Sequence, residues 1–439
     1  MAQNHASKLT SWKEIAAHLG RDVRTAQRWE RELGLPVHRV PGTRGHSIFA
    51  YTEEIDAWLE GRDASHPGTA SANSTRPSMH IHLAAVVLLL LLACGVGLWA
   101  WRARSEEKPA SVTFTGSGMA AWSAGRNLLW SYDFVHPLWA VTPQDAQNRV
   151  QIADLYNDGE KEVLVAAPLC MTNQGDLSTD ALYCFSSRGK LLWTHKFDEK
   201  LRMGGTEFGS RWLFGTIMAD SDRTNQSVWC TAVGFPWWPS LLIQFSAEGK
   251  EIAEFVNSGH LHALNSLHNS SGSFILAGGI NNEYNSAMLA VLRADQPSGT
   301  SPQSPGPFRC DDCPKGQPYR YFLFPRSEVN KVAGPPYNQT RVIQVDIMGV
   351  HVVVNEAVPD NGIGADWEIY DFSTDLVPQS VSVSDFYWED HRRLSAEGKI
   401  KHSVEECPER TQPRTVREWS PAEGWKEIKF PPVSSSHRR

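Results

Sequence analysis

Apolar residues at Trp12, Ile15, Ala16 and Leu19 fall on one face of a helix, and Val23, Ala26 and Trp29 continue at spacings of three after Gly20. Ser11, with Glu14 three positions on, forms a capping box that starts the first helix, and Gly20 ends it. A second helix is predicted over Val23–Leu33, with Arg24, Thr25, Gln27, Arg28 and Arg31 left on exposed faces. Two strand-like runs then flank Pro41-Gly-Thr-Arg-Gly45, predicting a hairpin that carries His38, Arg39, Arg44 and His46. Ile55, Trp58 and Leu59 predict a closing amphipathic helix over Thr52–Leu59.

The pattern changes twice downstream. Residues 63–80 are small and polar with no apolar period, which predicts a flexible linker. From Ile81 to Trp101 run twenty-one residues without a formal charge. At about 1.5 Å per residue, that length crosses a hydrocarbon core of roughly 30 Å. Trp99 and Trp101 stand where an interfacial aromatic belt would, and Arg102 and Arg104 close the segment. A single transmembrane helix over 81–101 is expected, because a signal peptide would not follow a folded domain of this size.

Beyond it, short apolar runs alternate with Gly, Asn, Asp, Ser and Pro clusters, and no amphipathic helix of any length is predicted. A turn recurs: Ser186-Ser-Arg-Gly-Lys190, Ser246-Ala-Glu-Gly-Lys250 and Ser395-Ala-Glu-Gly-Lys399. Each reads as a hairpin whose glycine supplies the positive φ of the turn, and Gly189 and Gly249 are 60 residues apart. Repeating β-units of this size point to a propeller, with a pair of β-sandwiches as the alternative. Residues 296–318 read as a long surface loop. The expected organisation is therefore multidomain: a small α-rich domain over 1–62, a linker over 63–80, the crossing helix, and an all-β propeller-like domain over 110–432.

Charge separates the two ends. Lys8–His46 holds eight Lys and Arg against four Asp and Glu, while residues 109–439 hold 29 against 38, so nucleic acid is expected only at the N-terminal end. Cys94 lies in the apolar stretch; Cys170, Cys184, Cys230, Cys310, Cys313 and Cys407 all lie beyond it. An even number confined to one side fits an oxidising compartment there. Cys310-Asp-Asp-Cys313, in Pro-rich sequence and without a second such pair, reads as a loop disulfide. The charges flanking the apolar stretch are nearly balanced, so a cytoplasmic N-terminus is expected from DNA access and cysteine placement instead.

Lys13-Glu-Ile-Ala-Ala-His-Leu-Gly20, Arg24-Thr25, Arg28-Trp29-Glu30, Gly34-Leu-Pro36, His38-Arg39 and Ile55-Asp-Ala-Trp58 together resemble the MerR/excisionase-like winged helix-turn-helix family over residues 8–60. The resemblance implies a second helix in the major groove of double-stranded DNA. Arg24, Thr25, Gln27 and Arg28 would then be base-reading candidates, and Arg39, Arg44 and His46 wing contacts. A linker stands where full MerR regulators carry a dimerisation helix, so a homodimer through that helix is not implied.

Gln151-Ile-Ala-Asp-Leu-Tyr-Asn-Asp-Gly-Glu-Lys-Glu-Val-Leu-Val165 resembles the calcium loop of FG-GAP/VCBS β-propellers. The resemblance puts Asp154, Asp158 and Glu162 at the first, fifth and ninth positions as calcium ligands. Tyr156 stands where that family has Asp or Asn, which removes one ligand. Ala219-Asp-Ser-Asp-Arg-Thr-Asn-Gln-Ser-Val228 looks like a decayed second copy. Leu128-Leu-Trp130 and Leu191-Leu-Trp193 resemble the tryptophan-docking runs of quinoprotein-type propellers, the simpler reading being tryptophans packed between blades. No Ser-His-Asp order, HExxH or P-loop marks catalysis.

The leading expectation is a bacterial, membrane-anchored one-component transcriptional regulator with a cytoplasmic DNA-binding end and a periplasmic or extracellular sensing domain. An extracytoplasmic adhesion or carbohydrate/protein-binding propeller is the alternative, and a propeller enzyme the third reading.

Overall fold

The computed structural model describes residues 7–39, 48–63, 107–138, 143–169, 181–196, 200–209, 211–220, 226–235, 238–355 and 366–432. Residues 64–80 of the expected linker, the crossing segment, Arg44, His46, Cys94 and Cys170 lie outside them. Among the described residues no helix is long and apolar enough to cross a membrane. The chain divides into two units, Met1–Gly97 and Leu98–Arg439.

In the first unit, α1 (Trp12–His18) and α2 (Val23–Leu33) are joined through Gly20, whose φ of +62° only glycine adopts readily. The Ser11 hydroxyl accepts from the Glu14 amide at 3.3 Å, and Glu14 reaches back to the Thr10 amide at 2.6 Å. The reciprocal cap thus closes one residue earlier than the sequence pattern predicts. Strands β1 (Lys8–Leu9), β2 (His38–Arg39) and β3 (Ile48–Tyr51) form a small sheet of order β1-β3-β2, and α3 (Thr52–Asp63) follows. Ile15, Ala16, Ala26, Leu35, Ile48, Ala50 and Ile55 form its core, with Trp29 and Trp58 at its margin.

The second unit is mostly β. Its first sheet is the meander β4 (Pro109–Phe114), β5 (Gly118–Ser123) and β6 (Leu128–Asp133). After α4 (Pro143–Arg149) comes a second, β7 (Val150–Ala153), β8 (Glu162–Ala167), β9 (Ala181–Phe185) and β10 (Leu191–Lys196). A hairpin of β11 (Leu201–Met203) and β12 (Thr206–Phe208) precedes the third sheet. That sheet runs β13 (Trp212–Asp220), β14 (Ser227–Gly234), β15 (Ser240–Ser246) and β16 (Glu251–Asn257).

The fourth sheet starts with β17 (Leu261–Asn269), β18 (Gly272–Asn281) and β19 (Ser286–Arg293). Within the expected surface loop, β20 (Gly299–Thr300) pairs in parallel with β16 and so edges the third sheet, while Cys310 and Cys313 form the expected disulfide. The fourth sheet then takes β21 (Arg320–Phe324), and α5 (Glu328–Ala333) leads to the fifth. This is the meander β22 (Gln339–Asp346), β23 (Gly349–Asn355), β24 (Trp367–Phe372) and β25 (Pro378–Val383). Helices α6 (Asp385–Ala396) and α7 (Pro408–Thr411) follow, and β26 (Arg414–Ser420) and β27 (Gly424–Phe430) close the described chain by joining β21 in the fourth sheet.

First strands lie side by side: β4 against β7, β7 against β13, β13 against β17, and β17 against β22. Strands between two sheet faces read as unbroken apolar runs, and Val163, Leu164, Val165 and Ala166 of β8 are fully buried. Outer strands β6 and β10 instead alternate toward solvent.

Two of the three predicted hairpins have the same construction. In each, the serine amide donates to the lysine carbonyl and the glycine amide to the serine carbonyl: Ser186 with Lys190 and Gly189, Ser246 with Lys250 and Gly249. The Trp130 indole N–H donates to the Ser187 carbonyl at 3.0 Å, and that of Trp193 to the Ala247 carbonyl at 2.7 Å. Each ring therefore lies on the turn glycine of the following sheet.

The third copy is corrected. Ser395-Ala-Glu-Gly-Lys399 closes α6, with Gly398 at φ +70° accepting no neighbour's ring. Helix α6 also overturns the expectation of no amphipathic helix beyond residue 101. Its buried face is Tyr387, Asp390, His391 and Leu394. Two polar residues on that face hide the helical period from a hydrophobicity pattern. Among the described cysteines only Cys310 and Cys313 are bridged; Cys184, Cys230 and Cys407 are buried thiols, and burial pushes each of them up from the usual range.

At the start of β17, the His260 and His262 rings pack edge to face at 4.9 Å, with both His262 ring nitrogens buried. Burial, with the positive charge of Arg341 nearby, holds His260 down at about 4 and His262 at about 3. Unfolding would let both rings bind protons near the ordinary value of about 6.5. Stability is therefore fully present above that value and is lost as pH falls toward the folded values. The expected slope is about 1.4 kcal/mol per pH unit for each ring. Urea midpoints measured between pH 7 and pH 5 should fall accordingly, and more steeply than in a His260→Gln/His262→Gln variant.

Candidate nucleic-acid interface

Helix α2 starts at Asp22, whose carboxylate accepts from the Thr25 amide at 3.0 Å and the Thr25 hydroxyl at 2.7 Å. These bonds hold the Asp22 carboxyl below its usual range, favouring the charged form beside the helix N-terminus. The helix ends at Gly34, left-handed at φ +67°. Ala26 is fully buried, with Val23 and Trp29 beside it, so the opposite face is turned to solvent. There Arg24, Thr25, Gln27, Arg28 and Arg31 line one shallow depression of about 410 Å³.

The groups on this face differ in how firmly they are held. Arg24 has no ion pair among the described residues. Arg28 approaches Glu32 only to 4.0 Å, with both side chains more than half exposed, a pair worth little in water. The Arg31 guanidinium donates to the Gln27 carbonyl at 3.4 Å. Thr25, expected as a base reader, uses its hydroxyl proton on the cap; its oxygen can still accept.

Of the expected wing contacts, only Arg39 is described, and it turns back toward α2. Its guanidinium meets the Glu30 carboxylate at 2.7 Å, which raises its affinity for its proton. His38 pairs with Glu54 at 2.6 Å and stacks on Phe49 at 5.2 Å. Two cations on this unit, Lys8 over the Phe49 ring at 4.1 Å and Arg21 near the Trp29 ring at 5.9 Å, were not singled out by the sequence pattern. The signal was faint because each is an isolated charge just outside the helical period.

The acidic loop between β7 and β8 is closed by its own backbone. Asp154 accepts from the Asp158 and Gly159 amides at 3.2 and 2.9 Å, and Asp158 accepts from the Glu160 amide at 2.8 Å. Glu162 is 3% exposed, accepts from the Leu155 amide at 2.9 Å, and is pushed up by burial. Among the described residues, the expected calcium ligands Asp154, Asp158 and Glu162 do not all bring a carboxylate oxygen within 4.8 Å of one another. Tyr156 donates its hydroxyl to the Ala247 carbonyl at 3.0 Å, beside the Trp193 indole. The position that breaks the ligand pattern is used for packing against the next sheet.

No family model matches this chain, and no curated protein matches it. Among solved structures, a protein of unknown function from Bacteroides caccae is 9% identical over 62% of this chain and 92% of its own, with a TM-score of 0.23. The Dos1 propeller is 11% identical over 61% of this chain and 69% of its own, with a TM-score of 0.29. Both are distant similarities, and the strand order described above stands on this chain alone.

Proposed function

We propose that this chain is a membrane-anchored, one-component transcriptional regulator. Its N-terminal unit, a winged helix-turn-helix, binds double-stranded DNA in the cytoplasm, and a β-propeller on the far side of the membrane senses a ligand or protein partner. The observation that carries the reading is the solvent face of α2, where Arg24, Gln27, Arg28 and Arg31 line one strip of a helix held by caps at both ends. Guanidinium and carboxamide groups are the side chains that read guanine and adenine edges in a major groove. The weak Arg28 pairing leaves that charge available to phosphate or base.

The propeller part is supported by successive meander sheets whose first strands adjoin, and by the tryptophan-on-glycine contacts between them. Anchoring rests on the uncharged stretch 81–101. In this reading a change of oligomeric state outside the membrane alters the spacing of two DNA half-sites. An unchanged crosslinking pattern in membranes with and without an activating condition would rule that coupling out.

Gel shifts test the DNA-binding claim. Residues 1–62, which carry their own core, should bind duplex DNA with a strong salt dependence. The Arg24→Ala/Arg28→Ala double variant should lose about tenfold to a hundredfold in affinity per base contact removed, or reduce the salt slope by about 2 if both contacts are to phosphate. Equal binding by the double variant and the parent would exclude this face as the interface.

A further inference from the structure

We propose that Glu328, His391, His402 and Cys407 form a structural zinc site that ties together the three short helices beside the fifth sheet. One ligand atom from each of the four lies within 4.8 Å of the others. They come from separate places in the chain: Glu328 opens α5, His391 is inside α6, His402 follows α6, and Cys407 is the residue before α7.

The spacing fits one ion. Zinc bonds to nitrogen at about 2.0–2.1 Å, so tetrahedral ligands stand about 3.3 Å apart. His391 Nε2 and His402 Nε2 are 3.3 Å apart, and His402 Nε2 and Glu328 Oε2 are 3.1 Å apart. The third measured edge, His391 Nε2 to Glu328 Oε2, is 4.0 Å. Two imidazoles, one thiolate and one carboxylate would also cancel the charge of a divalent ion. Nitrogen and sulfur donors select a zinc-class ion over calcium or magnesium, which take oxygen.

Burial argues for a site with work to do. His391 and Cys407 are completely buried. A buried imidazole facing another imidazole is costly without something to bind both nitrogens. Glu328 and His402, at 32% and 22% exposure, form the rim through which an ion can enter. Below the rim, Val329, Tyr387, Leu394 and Ile400 form a small apolar cluster of their own. That cluster is little core for three helices, the longest of which has 12 residues. A metal bridging all three offsets what so small a core lacks. With four protein ligands, the site leaves no open position and is structural in type.

The test uses the full chain in detergent, stripped with a chelator and titrated with zinc or cobalt. One equivalent per chain should remain bound after gel filtration, and zinc should raise the unfolding temperature. The cobalt form should show tetrahedral d–d absorption with a thiolate-to-cobalt charge-transfer band. Cys407→Ser should abolish that band, and His402→Ala and Glu328→Gln should weaken binding at least tenfold. These last two lie at the rim, so they stay informative if His391→Ala fails to fold. No stoichiometric uptake by the stripped parent overturns the site, as does undiminished uptake by both His402→Ala and Cys407→Ser.

Discussion

Alanine at position 249 should destabilise the second unit by about 2–5 kcal/mol, seen as a lower urea midpoint in the full chain. Two costs add. Gly249 has φ +80°, where a side chain is strained, and a Cβ there would stand 2.4 Å from a ring carbon of Trp193. The ring cannot swing aside freely, because its indole N–H is bonded to the Ala247 carbonyl and its body packs near Phe245. Gly189 repeats the arrangement at φ +81°, with Trp130 at 2.6 Å, so Gly189→Ala should behave alike.

Gly398→Ala is the internal control. It has a similar φ of +70° but open space around it, so only the backbone cost of about 1 kcal/mol is expected. Trp193→Phe separates the remaining contributions, since it retains an aromatic ring while losing the indole bond, for about 1 kcal/mol plus some packing. Equal losses for Gly249→Ala and Gly398→Ala would show that the tryptophan contact contributes nothing.

The second large effect is expected at Arg414. Its guanidinium bonds the fully buried Glu368 carboxylate and meets Glu409 at 2.6 Å. Burial raises Glu368, while Arg414 acts the other way and favours its charged form. For Arg414, burial opposes the charge, but Glu368 and Glu409 outweigh it and hold the proton more tightly. Arg414→Met removes the compensation and leaves a buried carboxylate with the Tyr370 hydroxyl donating to it at 2.7 Å.

The expected cost of Arg414→Met is about 3–5 kcal/mol by chemical denaturation. Glu368→Gln introduced into the Arg414→Met background should recover part of it, because a neutral amide is less costly to bury. Without that recovery, the loss would come from packing of the arginine stem and not from the buried charge. Glu409 also accepts from the Glu328 amide at 2.9 Å, so Arg414→Met should weaken zinc binding as well.

Features written in short stretches of sequence were legible. Ser11 and Gly20 mark the ends of α1, as the sequence pattern predicts, because caps depend on residues within one turn. The two hairpins were readable for the same reason, since the serine, glycine and lysine of each turn bond to one another. The third copy shows the limit of that logic. The same five residue types end a helix at 395–399, because both a hairpin turn and a helix C-terminus need a glycine at positive φ.

The exposed face of α2 was legible to the level of side chains, because helical period alone turns Arg24 and Arg28 away from Ala26 and leaves Gln27 between them and the core. It did not disclose that Arg39 turns to Glu30, since that pairing depends on how the hairpin docks on α2. The conformation of the acidic loop was likewise not local information. Its spacing matches a ligand pattern, but Glu162 begins β8, and sheet packing on both sides draws its carboxylate inward.

By itself, then, the sequence determined the small N-terminal unit, its exposed basic helix, the β texture beyond residue 109 and the disulfide of the Cys310 loop. Each of these is decided by neighbours a few positions apart. Only the tertiary structure decided that Trp130 and Trp193 lie on the glycines of the following sheets, and that the last two strands join the fourth sheet. It also brought Glu328, His391, His402 and Cys407 within 4.8 Å of one another. Those meetings depend on packing between residues far apart in the chain, such as Arg320 and Glu418, 98 positions apart, and no local period carries that information.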